Sequence, residues 1–168
     1  WDQSKATGLS PIQIQIIVFV AYHKPQLCKV SYLAQEFNVT KPTVSDAVRV
    51  LLLKGLIEKK DAGGDSRSYI IGLTTDGKQI LEGIEQFAAP VGTELEKLEN
   101  KQLASIYQSL SNLIFQLNQS GILSVQRTCY SCQFHEKKTD QDYCHFLNQP
   151  LGSEEIRIDC PEYESKNS

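Results

Sequence analysis

The sequence predicts a mainly α-helical fold with one small β-hairpin, an α+β chain. Between residues 31 and 77, two helical patterns joined by a tight turn are followed at once by a Gly-tipped hairpin. From residue 74 to residue 118, apolar residues recur at helical spacing. Four cysteines after Gly121 predict a small separate module. With 168 residues, the chain is long enough for one main domain and such an appendage.

The segment Pro11–Val20 carries signals for both a helix and a strand. Isoleucines at every second position favour a strand, because β-branched residues suit a pleated surface. Ser10 and Gln13 instead form a capping-box pattern, and Pro11 suits the first position of a helix. A shared helical face would carry Ile12, Ile16 and Val20.

Two helices are predicted next. The first begins at Ser31 and turns inward the apolar residues Leu33, Ala34 and Phe37. Asn38 suits a left-handed turn position, and Thr40 can cap the second helix. Pro42 is tolerated in the first turn of that helix, and Gly55 ends it.

The second helix has two chemically different faces. An apolar stripe at helical spacing is formed by Val44, Val48, Leu51 and Leu52. The other face keeps short hydrogen-bonding side chains and an arginine, which are Lys41, Thr43, Ser45, Asp46 and Arg49. Side chains of these types suit contacts with base edges and phosphates. This pattern predicts a helix that reads DNA.

The hairpin completes a winged helix-turn-helix pattern. Its first strand is predicted over Leu56–Lys60, and inward positions on the return strand are held by Tyr69, Ile71 and Leu73. The tip over residues 61–67 is polar and contains two glycines. Arg67 on this tip could reach a minor groove, where a narrow width concentrates negative potential.

Residues 9–120 resemble the MarR family of bacterial transcriptional regulators. The matching features are Leu9-Ser10-Pro11 at a helix start, the run from Val39 to Ser45, the run from Leu52 to Ile57, and Asp65-Ser66-Arg67 followed by Leu73-Thr74. The resemblance also favours a helix over a strand for Pro11–Val20. It implies a homodimer on a palindromic operator, with residues 40–49 in the major groove.

The resemblance assigns roles to individual residues. Arg67 would be the wing-tip residue and Asp65 its orienting partner. The predicted DNA-binding residues are Thr40, Lys41, Thr43, Ser45, Asp46, Arg49, Asp65, Ser66 and Arg67. We expect a DNA-binding domain over 9–75, dimerisation helices over 76–120 and a cysteine-rich module over 121–168.

The chain begins at Trp1 and contains no methionine, so we expect residues upstream of it. MarR-like proteins usually carry a dimerisation helix before the Leu-Ser-Pro motif. Either that helix precedes Trp1, or the dimer is built differently.

Two helices are predicted after the hairpin. Thr74 or Thr75 can cap a long helix toward Leu98, and Pro90 should kink or split it near Ala88-Ala89. A further helix over Lys101–Asn118 carries an apolar seam at alternating spacings of three and four, formed by Leu103, Ile106, Leu110, Leu113 and Leu117. The seam could pack within its own domain, but the resemblance favours a dimer interface.

Charge is unevenly distributed. The formal net charge is −3 and the pI is near 5.6, which is unusual for a nucleic-acid binder. Residues 41–67, however, hold six basic and four acidic side chains, whereas four basic and eight acidic ones follow from Cys129 onward. We therefore expect modest non-specific DNA affinity, a shallow salt dependence and no DNA contact by the acidic tail.

The four cysteines after Gly121 predict a metal site formed by Cys129, Cys132, Cys144 and Cys160. A C-x₂-C turn lets two sulfurs reach one metal, and few core residues lie between the cysteines to stabilise the segment otherwise. Structural Zn²⁺ in a Cys₄ site is favoured. An Fe–S cluster is the alternative because Cys160 precedes a proline. His135 and His145 are possible substitute ligands.

Two other functions are compatible with parts of the sequence. A winged-helix protein–protein adaptor that does not read DNA is favoured by the acidic balance. A thiol redox enzyme using Cys129 and Cys132 is a weaker alternative, and with no other catalytic arrangement in the sequence we predict that the chain is not an enzyme. Cys28 is interpreted as a half-buried apolar residue rather than a sensor thiol.

The predicted partners are double-stranded DNA and a second copy of the chain, with a small-molecule effector as a further candidate. No stretch of the sequence is long and apolar enough to span a bilayer, and no signal peptide is evident. We therefore expect a cytoplasmic protein.

Overall fold

The computed structural model of the chain describes residues 7–61, 69–123, 125, 127–138 and 141–166. The chain divides into two compact units, Trp1–Thr93 and Glu94–Ser168. The first unit contains the helix pair and the hairpin. The second contains the last long helix and the cysteine-rich segment. The predicted wing-tip residues Asp65, Ser66 and Arg67 lie outside the described residues.

The elements follow one another in a simple order. The first unit contains α1 (Pro11–Tyr22), α2 (Val30–Glu36), α3 (Lys41–Leu53), β1 (Ile57–Asp61), β2 (Tyr69–Leu73) and α4 (Thr75–Glu85). Then come α5 (Ala89–Leu95), α6 (Asn100–Gln119), β3 (His135–Lys137), β4 (Asp142–Cys144) and β5 (Gln149–Leu151). Short 3₁₀ turns lie between several of these elements.

The ambiguous segment at the start of the chain is a helix, as predicted. The backbone N–H of Ser10 donates a hydrogen bond of 2.9 Å to Gln13 Oε1, which satisfies a donor ahead of the first turn. Ile16 and Ile17 are fully buried, and Ile12 and Ile14 pack against the same core. The segment is therefore helical despite its alternating isoleucines. Its start is capped, and the isoleucines pack into the core from more than one face of α1.

The turn between α2 and α3 has the predicted backbone. Asn38 adopts φ 50°, in the left-handed region that an asparagine tolerates. Thr40 then caps α3, since its Oγ1 accepts a hydrogen bond of 3.3 Å from the backbone N–H of Thr43. At the far end Gly55 adopts φ 70° and turns the chain into the hairpin. Residues at the helix ends therefore determine where α3 begins and where it gives way to the hairpin.

The hairpin is antiparallel, with Ile57 opposite Leu73 and Asp61 opposite Tyr69. Ile57 and Ile71 are buried, so one face of the hairpin packs on the helices. The backbone N–H of Ile71 also donates a hydrogen bond of 2.8 Å to the carbonyl oxygen of Cys28. This bond ties the hairpin to the loop between α1 and α2.

The core of the first unit lies among α1, α2, α3 and the hairpin. Its largest fully buried residues are Ile16, Ile17, Leu33, Leu51, Ile71, Val44 and Val48. The predicted stripe of α3 is confirmed at Val44, Val48 and Leu51, and Leu52 is half-buried against the same cluster. Burying one face of α3 in this way presents the opposite face to solvent.

The helix after the hairpin is split as predicted. Thr74 caps α4, because its Oγ1 accepts a 3.0 Å hydrogen bond from the backbone N–H of Gly77. A 3₁₀ turn over Gln86–Ala88 interrupts the helix, and α5 starts with Pro90 in its first turn. The helical path ends at Leu95 rather than near Leu98.

The second unit contains a three-stranded antiparallel sheet, with strand order β3-β4-β5, that the sequence analysis did not predict. His135 lies opposite Cys144, and Cys144 lies opposite Gln149. The small core beside this sheet contains Cys129, Leu151 and Ile156. Helix α6 was predicted over Lys101–Asn118 and extends over Asn100–Gln119.

Among the described residues, the helices are all too short or too polar to cross a membrane.

Candidate nucleic-acid interface and cysteine cluster

Helix α3 presents its polar face to solvent. Every sequence-predicted DNA-contacting residue of this helix and its cap is exposed, namely Thr40, Lys41, Thr43, Ser45, Asp46 and Arg49. On the opposite side Val44 and Val48 are 0 % and 1 % exposed and hold the helix to the core. A partner can therefore approach the polar face without rearrangement of the fold.

Arg49 and Asp46 form an ion pair one helical turn apart. Arg49 Nη2 lies 3.6 Å from Asp46 Oδ1, and the two side chains are 67 % and 75 % exposed. An ion pair in this much solvent contributes little, since water screens it. The guanidinium can therefore leave Asp46 for a stronger acceptor such as a phosphate or a guanine edge at small cost.

A groove lies beside α3 and the hairpin and was missed by the sequence analysis. It has a volume of about 380 Å³, and its lining includes Ser45, Arg49, Lys59 and Tyr69. Lys59 Nζ lies 4.3 Å from the centre of the Tyr69 ring, a cation–π contact that holds the ammonium beside the groove. The only signal in the sequence was an exposed Lys on one strand and a Tyr at the start of the other.

Helix α6 exposes the apolar seam that the sequence predicts. Ile106, Leu110 and Leu113 are 42 %, 50 % and 53 % exposed, while Leu103 and Leu117 are half-buried. An apolar groove of about 770 Å³ runs along the N-terminal half of the helix, and Leu95 of α5 also lines it. Among the described residues of the second unit, the middle of the seam therefore keeps much of its surface open to solvent.

All four cysteines of the C-terminal segment line a single small cavity of about 30 Å³. Cys129 begins a 3₁₀ turn and Cys132 directly follows it. Cys144 ends β4, and Cys160 lies just before Pro161. The rest of the lining is half apolar and half polar or charged: Phe134, Phe146, Leu147 and Leu151 on the one hand, and His135, Glu155, Arg157 and Glu162 on the other. The fold thus brings together thiols that are up to thirty-one positions apart in the sequence.

The thiol of Cys129 has a backbone hydrogen-bond partner. The backbone N–H of Arg157 donates a hydrogen bond of 3.2 Å to its Sγ. Burial raises the pKa of the Cys129 thiol, the Arg157 N–H opposes that increase, and the neighbouring thiols of Cys160, Cys132 and Cys144 add to it. Cys129 therefore lies near the other three thiols of the cavity.

The two histidines near the cluster have other partners. His135 Nε2 lies 3.0 Å from Asp142 Oδ1, and its side chain is only 6 % exposed. His145 Nε2 lies 2.9 Å from Glu136 Oε2 and is 54 % exposed. Of these two, only His135 lines the cavity of the four cysteines. The surroundings of the histidines therefore favour an all-cysteine donor set.

Across the part of the chain that the structure describes, no group of three or more His, Cys, Asp or Glu side chains already has the geometry of a metal site. The four cysteines nonetheless line one cavity. The metal site therefore stays a prediction.

Cys28 lies in the core of the first unit and is 1 % exposed. Burial raises the pKa of its thiol to about 11. The thiol can donate a weak hydrogen bond to the carbonyl oxygen of Lys24 at 3.5 Å. A group this buried and this weakly acidic fits the apolar interpretation rather than a sensor thiol.

Comparisons with known proteins agree with this geometry in the first unit. The model of the MarR family matches residues 7–68. No curated protein matches the chain. Among solved structures, Streptococcus pneumoniae FabT in complex with DNA is similar at 25 % identity and a TM-score of 0.56, with 66 % of this chain and 77 % of that one covered.

Two further solved structures show the same fold at lower identity. The S. aureus MepR–DNA complex is 23 % identical with a TM-score of 0.55, covering 69 % of this chain and 85 % of that one. A MarR transcriptional regulator from Methanosarcina mazei Go1 is 20 % identical with a TM-score of 0.57, covering 71 % and 84 %. The chain therefore has the fold of MarR-type regulators, and its residues 7–68 match the MarR family.

Proposed function

We propose that this chain is a sequence-specific, DNA-binding transcriptional regulator that acts in the cytoplasm as a homodimer on a palindromic operator. The observation that carries the proposal is the exposed polar face of α3, which Val44, Val48 and Leu51 anchor to the core. A helix held this firmly presents its side chains in a fixed arrangement, which direct readout of base edges requires.

The residues of α3 would divide the recognition between them. Thr43, Ser45 and Arg49 would contact base edges in the major groove, and Lys41 would bind phosphate near the start of the helix. The groove beside the hairpin adds Lys59, whose ammonium is free to pair with a backbone phosphate while it rests on Tyr69. In this proposal Arg67 enters the minor groove, with Asp65 orienting it and Ser66 beside it.

The dimer would form through the seam of α6. An exposed apolar row along this helix is formed by Ile106, Leu110 and Leu113, and a second copy related by a two-fold axis offers the same row in return. A symmetric dimer presents two α3 helices to two half-sites on the DNA. The centres of such half-sites lie one helical turn apart, about 34–36 Å, or a multiple of that distance. A palindromic operator follows from that symmetry.

The comparisons support this proposal. FabT and MepR were both solved bound to DNA, and they share the fold of this chain. MarR-type regulators are not enzymes, which agrees with the prediction for this chain. The C-x₂-C pair gives little support to a thiol redox enzyme, because Cys129 and Cys132 are only 7 % and 6 % exposed.

The cysteine cluster is our candidate for modulating DNA binding. It belongs to the same compact unit as α6, the proposed dimerisation helix. A metal bound there could act on the separation of the two recognition helices by changing the dimer contacts. A small-molecule effector remains a second candidate for the signal.

The test is an in vitro selection of the full-length chain against random double-stranded DNA, with footprinting of the selected sequence. The proposal predicts two inverted half-sites and a dimer on each site. Selected sequences without internal symmetry would contradict the dimeric mode, and failure to enrich any sequence would contradict DNA recognition.

The second candidate is a winged-helix adaptor that binds another protein. The net charge of −3 favours it, because excess negative charge opposes DNA association. An adaptor would show no salt-dependent DNA binding, whereas a regulator with a mildly basic face should show a shallow but measurable dependence. Titration with DNA at two salt concentrations separates the two candidates.

A further inference from the structure

The second unit has very little apolar core of its own. Among its described residues, the buried cluster beside the three-stranded sheet contains Cys129, Leu151 and Ile156, with Tyr130 and Cys144 packed against it. Two of these five residues are cysteines. A segment with so few buried apolar side chains needs another source of stability, and a bound metal is the usual one.

The cavity of the four cysteines offers the donors for one ion. Cys129, Cys132, Cys144 and Cys160 all line it, so their thiols can turn toward a single ion. Four thiolates form a complete tetrahedral set for Zn²⁺, with no open position. The backbone N–H of Arg157 already points at Cys129 Sγ, as outer hydrogen bonds to metal thiolates do.

The cluster is joined to α6 at two places. Ile156 lies next to Arg157, and its carbonyl oxygen accepts a hydrogen bond of 2.5 Å from the hydroxyl of Tyr107 on α6. Tyr130, between Cys129 and Cys132, packs edge-on against Phe115 of the same helix with ring centres 5.6 Å apart. Both contacts therefore connect the helix that carries the exposed seam to the surroundings of Cys129. One runs through Tyr130, the next residue in the sequence, and the other through Ile156, which precedes the residue whose N–H binds Cys129 Sγ.

We propose that Cys129, Cys132, Cys144 and Cys160 bind one Zn²⁺ ion per chain and that the bound ion fixes α6 through Ile156 and Tyr130. On binding, the thiols release their protons to water and turn about their side-chain bonds toward the ion. The metal site is inferred from the cysteines alone and does not depend on the proposed function. Its role in regulation does rest on the proposed function, because α6 is taken there to be the dimerisation helix.

The first experiment measures zinc, iron and sulfide per chain, together with the visible spectrum, in full-length protein purified without air and without added metal. We expect one zinc per chain and no colour. Iron with sulfide would overturn the assignment to zinc, and the absence of metal from protein that also fails to bind added Zn²⁺ would overturn the site.

A second experiment titrates the metal-free chain with Co²⁺, whose spectrum reports thiolate ligation. We expect the strong absorption of a tetrahedral tetrathiolate at one ion per chain. Cys144→Ser should weaken Co²⁺ binding by at least about tenfold, and the matched control Cys28→Ser, which removes the cysteine outside the cluster, should not. If the Co²⁺ spectrum of the wild-type chain shows no absorption from thiolate ligands, the proposal is overturned. This result does not depend on whether Cys144→Ser folds.

The link to α6 has its own test. Amide hydrogen exchange over residues 103–115 should slow when Zn²⁺ is added to the metal-free wild-type chain. Tyr107→Phe should keep the metal stoichiometry but lose part of that protection, because it lacks the hydroxyl that binds Ile156. Equal exchange with and without Zn²⁺ would overturn the transmission.

These outcomes are separable from the proposed function because none of them uses DNA. A chain that binds zinc but no DNA refutes the regulator and leaves the metal site. A chain that binds its operator but no zinc refutes the metal site and leaves the regulator.

Discussion

Gly77 lies so close to Leu56 that a Cβ atom at position 77 would overlap the Leu56 carbonyl oxygen. That oxygen also accepts a hydrogen bond of 3.2 Å from the backbone N–H of Thr74, the cap of α4. The hydroxyl of Thr74 in turn donates to the carbonyl oxygen of Gly55 at 2.6 Å. The end of α3 and the start of α4 are thus joined through backbone atoms that leave no room for a side chain.

We expect Gly77→Ala to lower the free energy of unfolding of the first unit by about 1–3 kcal/mol, because its methyl group meets backbone rather than a movable side chain. The control is Gly83→Ala on the same helix, where nothing lies within 4 Å of the added Cβ. Gly83→Ala should stabilise by up to about 1 kcal/mol through helix propensity. Urea unfolding followed by circular dichroism measures both, and equal effects would contradict the close approach.

The cap of α3 gives a second prediction. Thr40→Ala removes the oxygen that accepts from the Thr43 backbone N–H, and we expect a loss of about 1 kcal/mol in unfolding free energy. Thr40→Ser keeps an oxygen at this position and should retain most of the stability. If the alanine and serine variants unfold alike, Thr40 does not act as a cap.

The exposed seam of α6 predicts the oligomeric state. Leu110→Asp places a charge in the middle of the row and should convert a dimer to a monomer at micromolar concentration, because an unpaired buried carboxylate is costly. Ile122→Asp is the control, since Ile122 is also exposed, at 68 %, but lies beyond the end of α6. Analytical ultracentrifugation of both variants measures the oligomeric state. If the Leu110→Asp variant is still a dimer, the dimer interface does not include the seam of α6.

The buried thiol of Cys28 predicts low reactivity. With a pKa of about 11, the thiolate fraction at pH 8 is on the order of one molecule in a thousand, and it rises only as the pH approaches 11. We expect iodoacetamide to label Cys28 slowly in the native chain and rapidly after unfolding, as mass spectrometry of the peptides would show. If Cys28 in the native chain is labelled as fast as an exposed free cysteine, the thiol is accessible and the sensor interpretation is favoured instead.

The wing tip gives a prediction from the sequence alone. Arg67→Ala should weaken operator binding by about 1–3 kcal/mol and leave the fold unchanged. Circular dichroism and an operator titration of the same sample measure the two effects. Unchanged affinity would remove Arg67 from the interface.

Local signals made much of the first unit predictable. The capping box at Ser10, the left-handed turn at Asn38 and the break before Pro90 each depend on one or two residues whose preferences are strong. Tertiary packing only reinforced them. The polar face of α3 could be predicted for the same reason, since helical spacing separates it from Val44 and Val48.

The three-stranded sheet of the second unit was not predictable in this way. Its strands are three residues each, with sequences HEK, DYC and QPL, too short to show alternation and too polar to suggest burial. The contact between Lys59 and Tyr69 was missed because it joins two strands across the sheet. The convergence of four cysteines was expected from their spacing, but the connection of Ile156 to Tyr107 is visible only in three dimensions.

The most direct test of the central claim is the affinity of the full-length chain for its selected operator, measured at several salt concentrations for the wild type, Arg49→Ala and Lys97→Ala. We predict that Arg49→Ala weakens binding by about 1–3 kcal/mol and relaxes sequence preference, whereas Lys97→Ala, which removes an exposed charge outside the first unit, has little effect. Equal affinities for all three proteins, with no dependence on salt, would contradict DNA recognition by α3.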